Sequence, residues 1–339
     1  MLAAYTKLQN AETVKQYLLK KDLLNHGYLP VKELGFIYFP VVKNARVPKS
    51  KLLNTKFSFP EKEKVFTVEG LLKNKLTSKE INLLPKTKEV IGKVMVLEMP
   101  NLLQKKEKVI AAAYLKANSQ IETIVKKTEI HNGEYRTRKV KVLAGKARKE
   151  TVHRENGVDL KLHLENAYFS SRLGSERLRI ANQVKKGEEV MVMFSGVAPY
   201  PLVLAKNSKA SSIYGVELNP IAHTYAMDNV MSNKAQNKVF LKCGDVRKEL
   251  PKLRQKFDRI VMPLPRSGEE YLDLALKKSK SGTIIHFYSF FFENTLKEEV
   301  KKIKDACKEL GQPVKLMKVV RCGQSAPGTF RYCLDLKVV

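Results

Sequence analysis

The stretch VMVMFSGVAP, Val190 to Pro199, decides the fold of this chain. Its apolar first half is typical of a buried parallel strand. Ser195, Gly196 and Ala198 are small enough to let a ligand approach the backbone where the strand ends. Many buried strands end in Ser-Gly turns without a ligand, so the turn by itself leaves a binding site and an ordinary turn both open.

Two acids stand at the ends of the next two predicted strands. IYGVELNP, Ile213 to Pro220, ends its strand on Glu217, and VFLKCGDV ends on Asp245. In doubly wound sheets an acid at the tip of the second strand holds the ribose hydroxyls of a nucleotide-like ligand. The constellation contains no GxGxxG or GxxxxGK[ST] loop to bind a pyrophosphate, so a nucleoside-like ligand fits better. This pattern indicates that the ligand is S-adenosylmethionine. The alternative is that Glu217 and Asp245 are ordinary solvated residues at the ends of strands.

Strands and helices alternate from about residue 187 to residue 339. FDRIVMPLP supplies a fourth strand and GTIIHFYSF, Gly282 to Phe290, a fifth, while KLMKVV and RYCLDLKVV read as a final pair. This alternation predicts an α/β fold around a parallel sheet. His286 lies on an apolar strand and is expected to be a packed core histidine.

Upstream of this region the pattern is mixed. In residues 1–64 a helical pattern at Ala11 to Lys20 and a strand-like Gly35 to Val42 predict a small α+β domain, and the Lys-rich Lys43 to Lys64 predicts a basic linker. Residues 65–186 predict a second α+β domain. Its expected elements are a strand over Val90 to Met99, a helix over Glu107 to Lys116, a half-buried strand at the start of Leu160 to Phe169, and a short helix through Leu178, Ala181 and Val184.

The chain is strongly basic. Its 339 residues include 63 Lys and Arg against 34 Asp and Glu, a formal net charge of +29. Such a surplus favours a polyanionic partner, above all nucleic acid, over a solvated lysine surface or an anionic membrane. No basic amphipathic stretch has a strongly apolar opposite face, and no apolar run is long enough to span a membrane. We therefore expect a soluble, cytoplasmic protein without a membrane partner.

The four cysteines do not form a recognisable framework. Cys243, Cys307, Cys322 and Cys333 are scattered, without a CxxC pair or histidines at metal-ligand spacing. The sequence thus predicts no zinc site and no disulfide framework.

The order of motifs resembles the archaeal and eukaryotic tRNA (guanine-N1)-methyltransferase family. These motifs are YFSSRLGSER, MFSGVAPY, YGVELNP, GDVR, PLP and RCGQSAPGTFRYCLDL, and the resemblance covers roughly Lys86 to Val339. It implies a C-terminal Rossmann-like class I methyltransferase domain whose sheet ends in an antiparallel pair. It also implies two preceding α+β RNA-binding domains, residues 1–64 contacting tRNA and residues 65–186 positioning the substrate. The implied substrate is the guanosine immediately 3′ of the anticodon, position 37 in the anticodon stem-loop.

Methylation at N1 of guanine needs a base to remove the N1 proton and a cation near O6, where charge builds up. The resemblance implies that Glu176, in YFSSRLGSER, is the base and that Arg136, in EYRTRKV, balances the charge at O6. Each residue has a simpler alternative. Glu176 could complement a helix dipole, and Arg136, in a basic stretch, could contact phosphate.

The strand ends and the resemblance together predict the remaining site residues. The predicted cofactor-binding residues are Tyr168, Phe194, Ser195, Gly196, Val197, Glu217, Leu218, Asp245, Val246 and Pro263. The predicted substrate-binding residues are Arg172, Arg177, Pro265 and Pro327. Arg172 and Arg177 could instead lie in the seam between domains. No metal is implied.

The chain departs from the family pattern at three positions. Many methyltransferases have an acid where Val192 stands and glycine where Ala198 stands, and relatives with the narrower guanine specificity usually have Asn at Pro263. Proline offers no side-chain polar group to contact a base. We therefore expect the enzyme also to methylate C7 of 4-demethylwyosine at the same nucleotide. Methylation of that precursor alone, transfer of the aminocarboxypropyl group of the cofactor, and a tRNA-binding protein without activity remain the alternatives.

Overall fold

A computed structural model describes residues 1–56, 58–61, 66–128 and 135–339. The chain divides into two compact units, Met1–Thr67 and Val68–Val339. The end of the predicted basic linker, residues 62–64, lies outside the described residues, as does its predicted boundary with the second domain. No helix among the described residues is long and apolar enough to cross a membrane.

The first unit is a four-stranded antiparallel sheet with one helix. Its elements are β1 (Leu2–Lys7), α1 (Ala11–Lys20), β2 (Val31–Glu33), β3 (Phe36–Pro40) and β4 (Lys51–Asn54), and the strand order is β2-β3-β1-β4. Val14 and Leu18, one helical turn apart, bury the same face of α1 in the core beside Phe39. The helix and the strand predicted here are confirmed.

The predicted linker is wrong over part of its length. Lys51–Asn54 forms β4, which pairs antiparallel with β1 from Leu2↔Asn54 to Tyr5↔Lys51. Val47 is also buried in the core of this unit. A four-residue strand between lysines shows too few apolar positions for its alternation to be visible in the sequence.

The second unit begins with another mixed α/β layer. Its elements are α2 (Val68–Leu72), α3 (Ser78–Asn82), β5 (Lys88–Ile91), β6 (Val94–Leu97), α4 (Glu107–Ala117), β7 (Thr123–Lys127) and β8 (Val140–Gly145). The sheet order is β5-β6-β7-β8, with β6 and β7 parallel. The predicted single strand from Val90 to Met99 is a hairpin, because Gly92 turns the chain at φ 55°. A Cβ there would lie 2.2 Å from the carbonyl oxygen of Val152, so only glycine fits.

The rest of the chain alternates strands and helices as predicted. The elements are β9 (Glu150–Glu155), β10 (Val158–His163), α5 (Gly174–Ala181), β11 (Glu189–Met193), α6 (Pro199–Asn207), β12 (Ser212–Glu217), α7 (Pro220–Ser232), β13 (Val239–Cys243), α8 (Val246–Lys252), β14 (Phe257–Met262), α9 (Leu272–Lys277), β15 (Ser279–Phe292), α10 (Leu296–Glu309), β16 (Val314–Ala326) and β17 (Thr329–Val338). The short helix expected through Val184 is α5, which ends earlier, at Ala181.

The main sheet has seven strands in the order β13-β12-β11-β14-β15-β17-β16. Strands β11 to β15 pair in parallel, and β17 runs antiparallel to both β15 and β16. The strand order reverses at β11, which lies between β12 and β14. Ligands bind at such a switch point, beyond the carboxyl ends of the strands. The predicted α/β fold and its final antiparallel pair are confirmed.

The hairpin β9–β10 packs on the main sheet, although it precedes the predicted domain boundary at residue 186. Its Leu160 and Leu162 are buried in the same core as Val190. The Asn229 side chain on α7 accepts from the amide of Lys161 at 2.8 Å and donates to its carbonyl oxygen at 2.9 Å. The division of residues 68–339 into two domains stays a prediction.

A buried network of charges joins the last strand to the sheet and to α5. Asp335 accepts from Nδ1 of His286 at 2.6 Å and from Arg179 at 2.7 Å. Nε2 of His286 lies 2.7 Å from Arg259. Since arginine can only donate, Nε2 accepts and the ring proton is on Nδ1. His286 is in the core as predicted, but within a polar network rather than in apolar packing.

This network also explains a cluster that resembles a metal site. The ligand atoms of His286, Cys333 and Asp335 lie within 4.8 Å of one another. Both nitrogens of His286 are already hydrogen-bonded, and both oxygens of Asp335 accept from His286 or Arg179. Two arginines therefore occupy the place of a cation.

Asp335→Asn should destabilise the second unit by about 3 kcal/mol, because it removes the carboxylate acceptor of the buried His286 and leaves Arg179 with Glu176 as its one carboxylate partner. Burial would raise the pKa of Asp335, but its hydrogen bonds with His286 and Arg179 lower it overall. The stabilisation is therefore present above the unfolded pKa of about 4 and is lost as pH falls toward the folded pKa. Urea unfolding at pH 7 measures the destabilisation, and the difference between wild type and variant should shrink at about pH 2.5, between the two pKa values. Asp305→Asn, at an exposed position on α10, is the control and should change neither.

Candidate active site

A cavity of about 240 Å³ lies at the carboxyl ends of the central strands. Nine of the predicted site residues line it: Arg136, Tyr168, Phe194, Gly196, Glu217, Leu218, Asp245, Val246 and Pro263. Residues from four strand ends thus meet where the sheet topology predicts a ligand.

The turn after β11 has an unusual backbone. Phe194, Gly196 and Ala198 adopt φ values of 62°, 57° and 66°, all in the left-handed region. A non-glycine residue there costs roughly 1 kcal/mol, which the surrounding structure must offset. Ala198 thus adopts a conformation that favours glycine. The turn brings the backbone of Gly196 to the wall of the cavity.

Glu217 holds this turn in place. Its carboxylate accepts from the amide of Gly196 at 2.7 Å and from the amide of Asn219 at 2.9 Å. Burial raises the pKa of Glu217 and the backbone hydrogen bonds oppose that rise. Each carboxylate oxygen retains a lone pair that a hydroxyl can use, as the hydroxyls of a ribose would.

Asp245 and the aromatic residues form the neighbouring wall. Asp245 caps α8 by accepting from the amide of Arg247 at 2.8 Å. Phe194 and Tyr271 meet edge to face with ring centroids 4.9 Å apart, and the guanidinium of Arg247 lies 4.0 Å from the Tyr271 ring. Val246 lines the same wall. Apolar and aromatic surfaces beside two carboxylates suit a purine nucleoside.

Sequence reasoning missed part of this wall. Tyr135, Ser267, Glu270 and Tyr271 line the cavity but were not predicted. They lie in segments that precede or follow helices and strands, and these segments show neither helical nor strand periodicity. Only the aromatic side chain of Tyr271, shortly after PLP, could have drawn attention to that segment.

Arg136 also lines the cavity. Its backbone is left-handed at φ 50°, and its guanidinium donates to the carbonyl oxygen of Arg266 at 2.6 Å. Desolvation lowers the pKa of Arg136, opposed by Tyr168. A cationic group and two acids therefore line one cavity.

Glu176 is placed differently from this set. It is 6% exposed on α5 and is not among the described residues that line the cavity. Its carboxylate accepts from the hydroxyl of Tyr288 at 2.6 Å and from Arg179 at 2.7 and 2.8 Å. The carboxylate thus belongs to the buried network, and its catalytic role stays a prediction.

The structure corrects the prediction that Arg177 contacts substrate. Its side chain is 2% exposed, donates to Glu155 at 2.6 Å, and lies 5.2 Å from the Phe169 ring. It cannot reach a phosphate, so the alternative of a structural place in the seam applies. The sequence does not distinguish Arg177 from Arg172, which is exposed, because the burial of a side chain is decided by the folded chain.

The other predicted residues are not among the described residues that line the cavity. The Ser195 side chain is 3% exposed and its hydroxyl has no hydrogen-bond partner in the described part of the chain. The Val197 side chain is fully buried in the core. Pro265 is buried and Pro327 is exposed between β16 and β17. The roles proposed for these residues remain predictions.

Family comparisons agree with this geometry along the whole chain. The TRM5/TYW2 methyltransferase domain matches residues 151–316, the TYW2 N-terminal domain residues 68–148, and the tRNA methyltransferase 5 N-terminal domain residues 6–49. A tRNA (guanine(37)-N(1))-methyltransferase, Trm5b of Pyrococcus abyssi, is 31% identical over 99% of both chains. The chain belongs to the TRM5/TYW2 methyltransferase family. The family expected from the sequence is therefore confirmed.

Individual relatives extend the comparison. The crystal structure of P. abyssi Trm5b aligns over 100% of this chain and 99% of its own, with a TM-score of 0.74 and 28% identity. TYW2 of P. horikoshii, solved in complex with MeSAdo, aligns over 80% of this chain and 97% of its own, with a TM-score of 0.67 and 27% identity. Taw22 of Nanoarchaeum equitans, named a tRNA (guanine(37)-N(1))/4-demethylwyosine(37)-methyltransferase, is 30% identical over 66% of this chain and 90% of its own length. S-adenosylmethionine is confirmed as the cofactor of the methyltransferase domain.

Glu217→Ala and Asp245→Ala should each weaken S-adenosylmethionine binding about tenfold or more, the loss expected for a buried hydrogen bond to a charged group. Calorimetry measures the affinity. Asp228→Ala removes an exposed carboxylate from α7 outside this cavity and should bind as the wild type does. Unchanged affinity in both cavity variants would remove the two acids from the cofactor site.

Proposed function

We propose that this protein transfers a methyl group from S-adenosylmethionine to N1 of guanosine 37 in tRNA. The observation that carries the proposal is that Glu217, Asp245 and Arg136 line a single cavity in a chain similar to P. abyssi Trm5b over its full length. The cofactor supplies an electrophilic methyl group. The protein must position the guanine, remove its N1 proton and stabilise the charge that develops on O6.

tRNA is the proposed partner, bound through its anticodon stem-loop. The net charge of +29 suits a polyanion. The lining residues lie at the strand ends inside a cavity, so the target nucleotide must leave its stack for its base to reach them. Conversion of an unmodified tRNA transcript to N1-methylguanosine, detected by mass spectrometry of its nucleosides, tests the proposal directly.

Arg136 is proposed to stabilise the charge at O6. It comes from the segment before β8, yet its guanidinium donates to Arg266 in the loop after β14. This bond orients the guanidinium at the cavity, where an arginine remains charged throughout the reaction.

Glu176 is proposed to remove the N1 proton. Arg179 and Tyr288 donate to its two oxygens, and these bonds fix the orientation of the side chain. Helix α5 starts six residues after Tyr168, which lines the cavity. Proton transfer requires the carboxylate to come within hydrogen-bond reach of N1, and such contacts often tighten only when substrate binds.

A second substrate, C7 of 4-demethylwyosine, is proposed on the basis of Pro263. Pro263 lines the cavity, where it presents no amide to the edge of a base. A cavity wall without that polar group requires fewer hydrogen bonds from the base and can admit a larger, tricyclic base. The name of Taw22, which covers both activities, is in keeping with this proposal. Aminocarboxypropyl transfer, the activity named for a P. horikoshii relative 30% identical over 80% of this chain, is the competing outcome.

Glu176→Gln should lower the single-turnover methylation rate about a hundredfold or more, because an amide cannot accept the proton, while cofactor affinity stays near that of the wild type. Glu155→Gln is the matched control: it also removes a buried carboxylate paired with an arginine, Arg177, but should keep the rate of the chemical step. Equal rate losses in the two variants would assign Glu176 a structural role only.

Incubation of tRNA bearing 4-demethylwyosine with protein and methyl-labelled cofactor should incorporate label. Pro263→Asn should reduce this incorporation at least severalfold more than it reduces N1-methylguanosine formation. The reason is that the asparagine amide requires a hydrogen-bonding partner on the edge of the base. Absence of label from the modified tRNA, with N1-methylguanosine still formed on an unmodified transcript, would leave guanosine as the single substrate.

A further inference from the structure

Strand β15 is much longer than the parallel strands beside it. It has 14 residues, whereas β11 to β14 have five or six each. Phe287 of β15 pairs with Met262, the last residue of β14, and the next five residues, Tyr288 to Phe292, continue beyond it and pair with β17. These five residues, which we call the β15 arm, therefore project past the carboxyl ends of the parallel strands, at the edge of the sheet where the cavity lies.

Side chains of the β15 arm alternate between the two faces of the sheet. Tyr288 and Phe291 are buried in different cores, one on each face. The register with β17 is unbroken along the whole arm. Phe290 and Phe292 therefore lie on the same face as Tyr288, whose hydroxyl donates to Glu176 at 2.6 Å.

Phe290 is close to the cavity wall. Arg331 pairs with it across the strands, and the guanidinium carbon of Arg331 lies 5.1 Å from the Phe290 ring. The same guanidinium donates to the hydroxyl of Tyr168, which lines the cavity, at 3.2 Å. Phe292 is two residues farther along this face, about 7 Å beyond Phe290. It therefore lies just outside the cavity, on the face where Tyr288 bonds to the proposed base.

Phe292 differs from the residues before it because its side chain is exposed to water. It is 57% exposed, whereas Phe291 is 6% exposed. A Cβ at Gly328 would lie 4.0 Å from Cδ1 of Phe292, so one edge of the ring rests on the turn between β16 and β17. Single exposed apolar residues are common on protein surfaces. The position beside the cavity distinguishes Phe292 from Phe240, which is 44% exposed on β13, an edge strand on the other side of the sheet.

We propose that Phe292 stacks on the base next to the target nucleotide of tRNA, and that it replaces the stacking which this neighbour loses when the target base enters the cavity. The proposal rests on the proposed function, which makes tRNA the substrate. A base that leaves its stack exposes a face of the adjacent base, and aromatic side chains stack on unpaired bases. A phenyl ring adds contact area without requiring a hydrogen bond, so this contact is independent of which base is present.

The test measures the binding of wild-type protein and variants to a tRNA transcript that carries 2-aminopurine at one of the two nucleotides flanking position 37, each in turn. Stacking quenches the fluorescence of 2-aminopurine, so a base stacked on Phe292 stays dim in the complex. Phe292→Ala should raise the fluorescence of the complex at one of the two positions and weaken binding about tenfold. Phe240→Ala is the matched control and should resemble the wild type in both measurements.

Two further variants separate stacking from general apolar contact. Phe292→Tyr keeps an aromatic ring and should behave as the wild type, whereas Phe292→Leu keeps an apolar side chain and should resemble Phe292→Ala. The slope of log affinity against log salt should be unchanged in Phe292→Ala, because no phosphate contact is lost. Calorimetric S-adenosylmethionine affinity should equal that of the wild type in all variants and shows that they are folded.

Wild-type fluorescence and affinity in Phe292→Ala would overturn the proposal, as would equal losses in Phe292→Ala and Phe240→Ala. Full quenching in Phe292→Leu would also overturn it, since an apolar contact would then suffice. Binding is measured without methyl transfer. Failure of the wild type to form N1-methylguanosine on a tRNA that it binds would therefore contradict the proposed function and leave the result for Phe292 to be read separately.

Discussion

The contact between Arg179 and Asp335 is the interaction on which the candidate site depends most. It links α5 to β17, and through His286 and Arg259 the same network reaches β15 and β14. All these groups are largely withdrawn from water, so each charge needs its partner. Because Arg179 also binds Glu176, the position of the proposed base is tied to the last strand of the sheet. The network thus couples fold stability to the geometry of the site.

The cavity is lined by groups of both charges. Glu217 and Asp245 stand at the tips of β12 and β13, where hydroxyl groups of a nucleoside can be bound. Arg136 lines the same cavity, and its guanidinium donates to the carbonyl oxygen of Arg266. One cavity therefore combines acceptors for hydroxyl groups with a cation that can stabilise negative charge.

The errors in sequence interpretation have physical causes that are local to each residue. Val90 to Met99 is mostly apolar on both sides of Gly92, so its periodicity does not reveal the turn. The requirement for glycine at position 92 comes from the close approach of Val152 in the folded chain. The short β4 contains too few apolar residues to show alternation. Arginine is a residue type that often binds phosphate. Arg177, however, is buried in an ion pair with Glu155, a residue 22 positions away. Each error concerns a contact between distant parts of the chain.

The sequence by itself determined the alternating α/β pattern, the acids at the strand ends and the basic charge, because periodicity, strand-end chemistry and net charge are local or summed properties. It also carried the motifs that identify the family. Only the tertiary structure decided that Arg136 reaches Arg266, that Glu176 meets Tyr288, and that Arg331 contacts Tyr168. Each of these contacts joins residues from different elements that are more than a hundred positions apart. Sheet order and side-chain packing, rather than sequence spacing, set which of them meet.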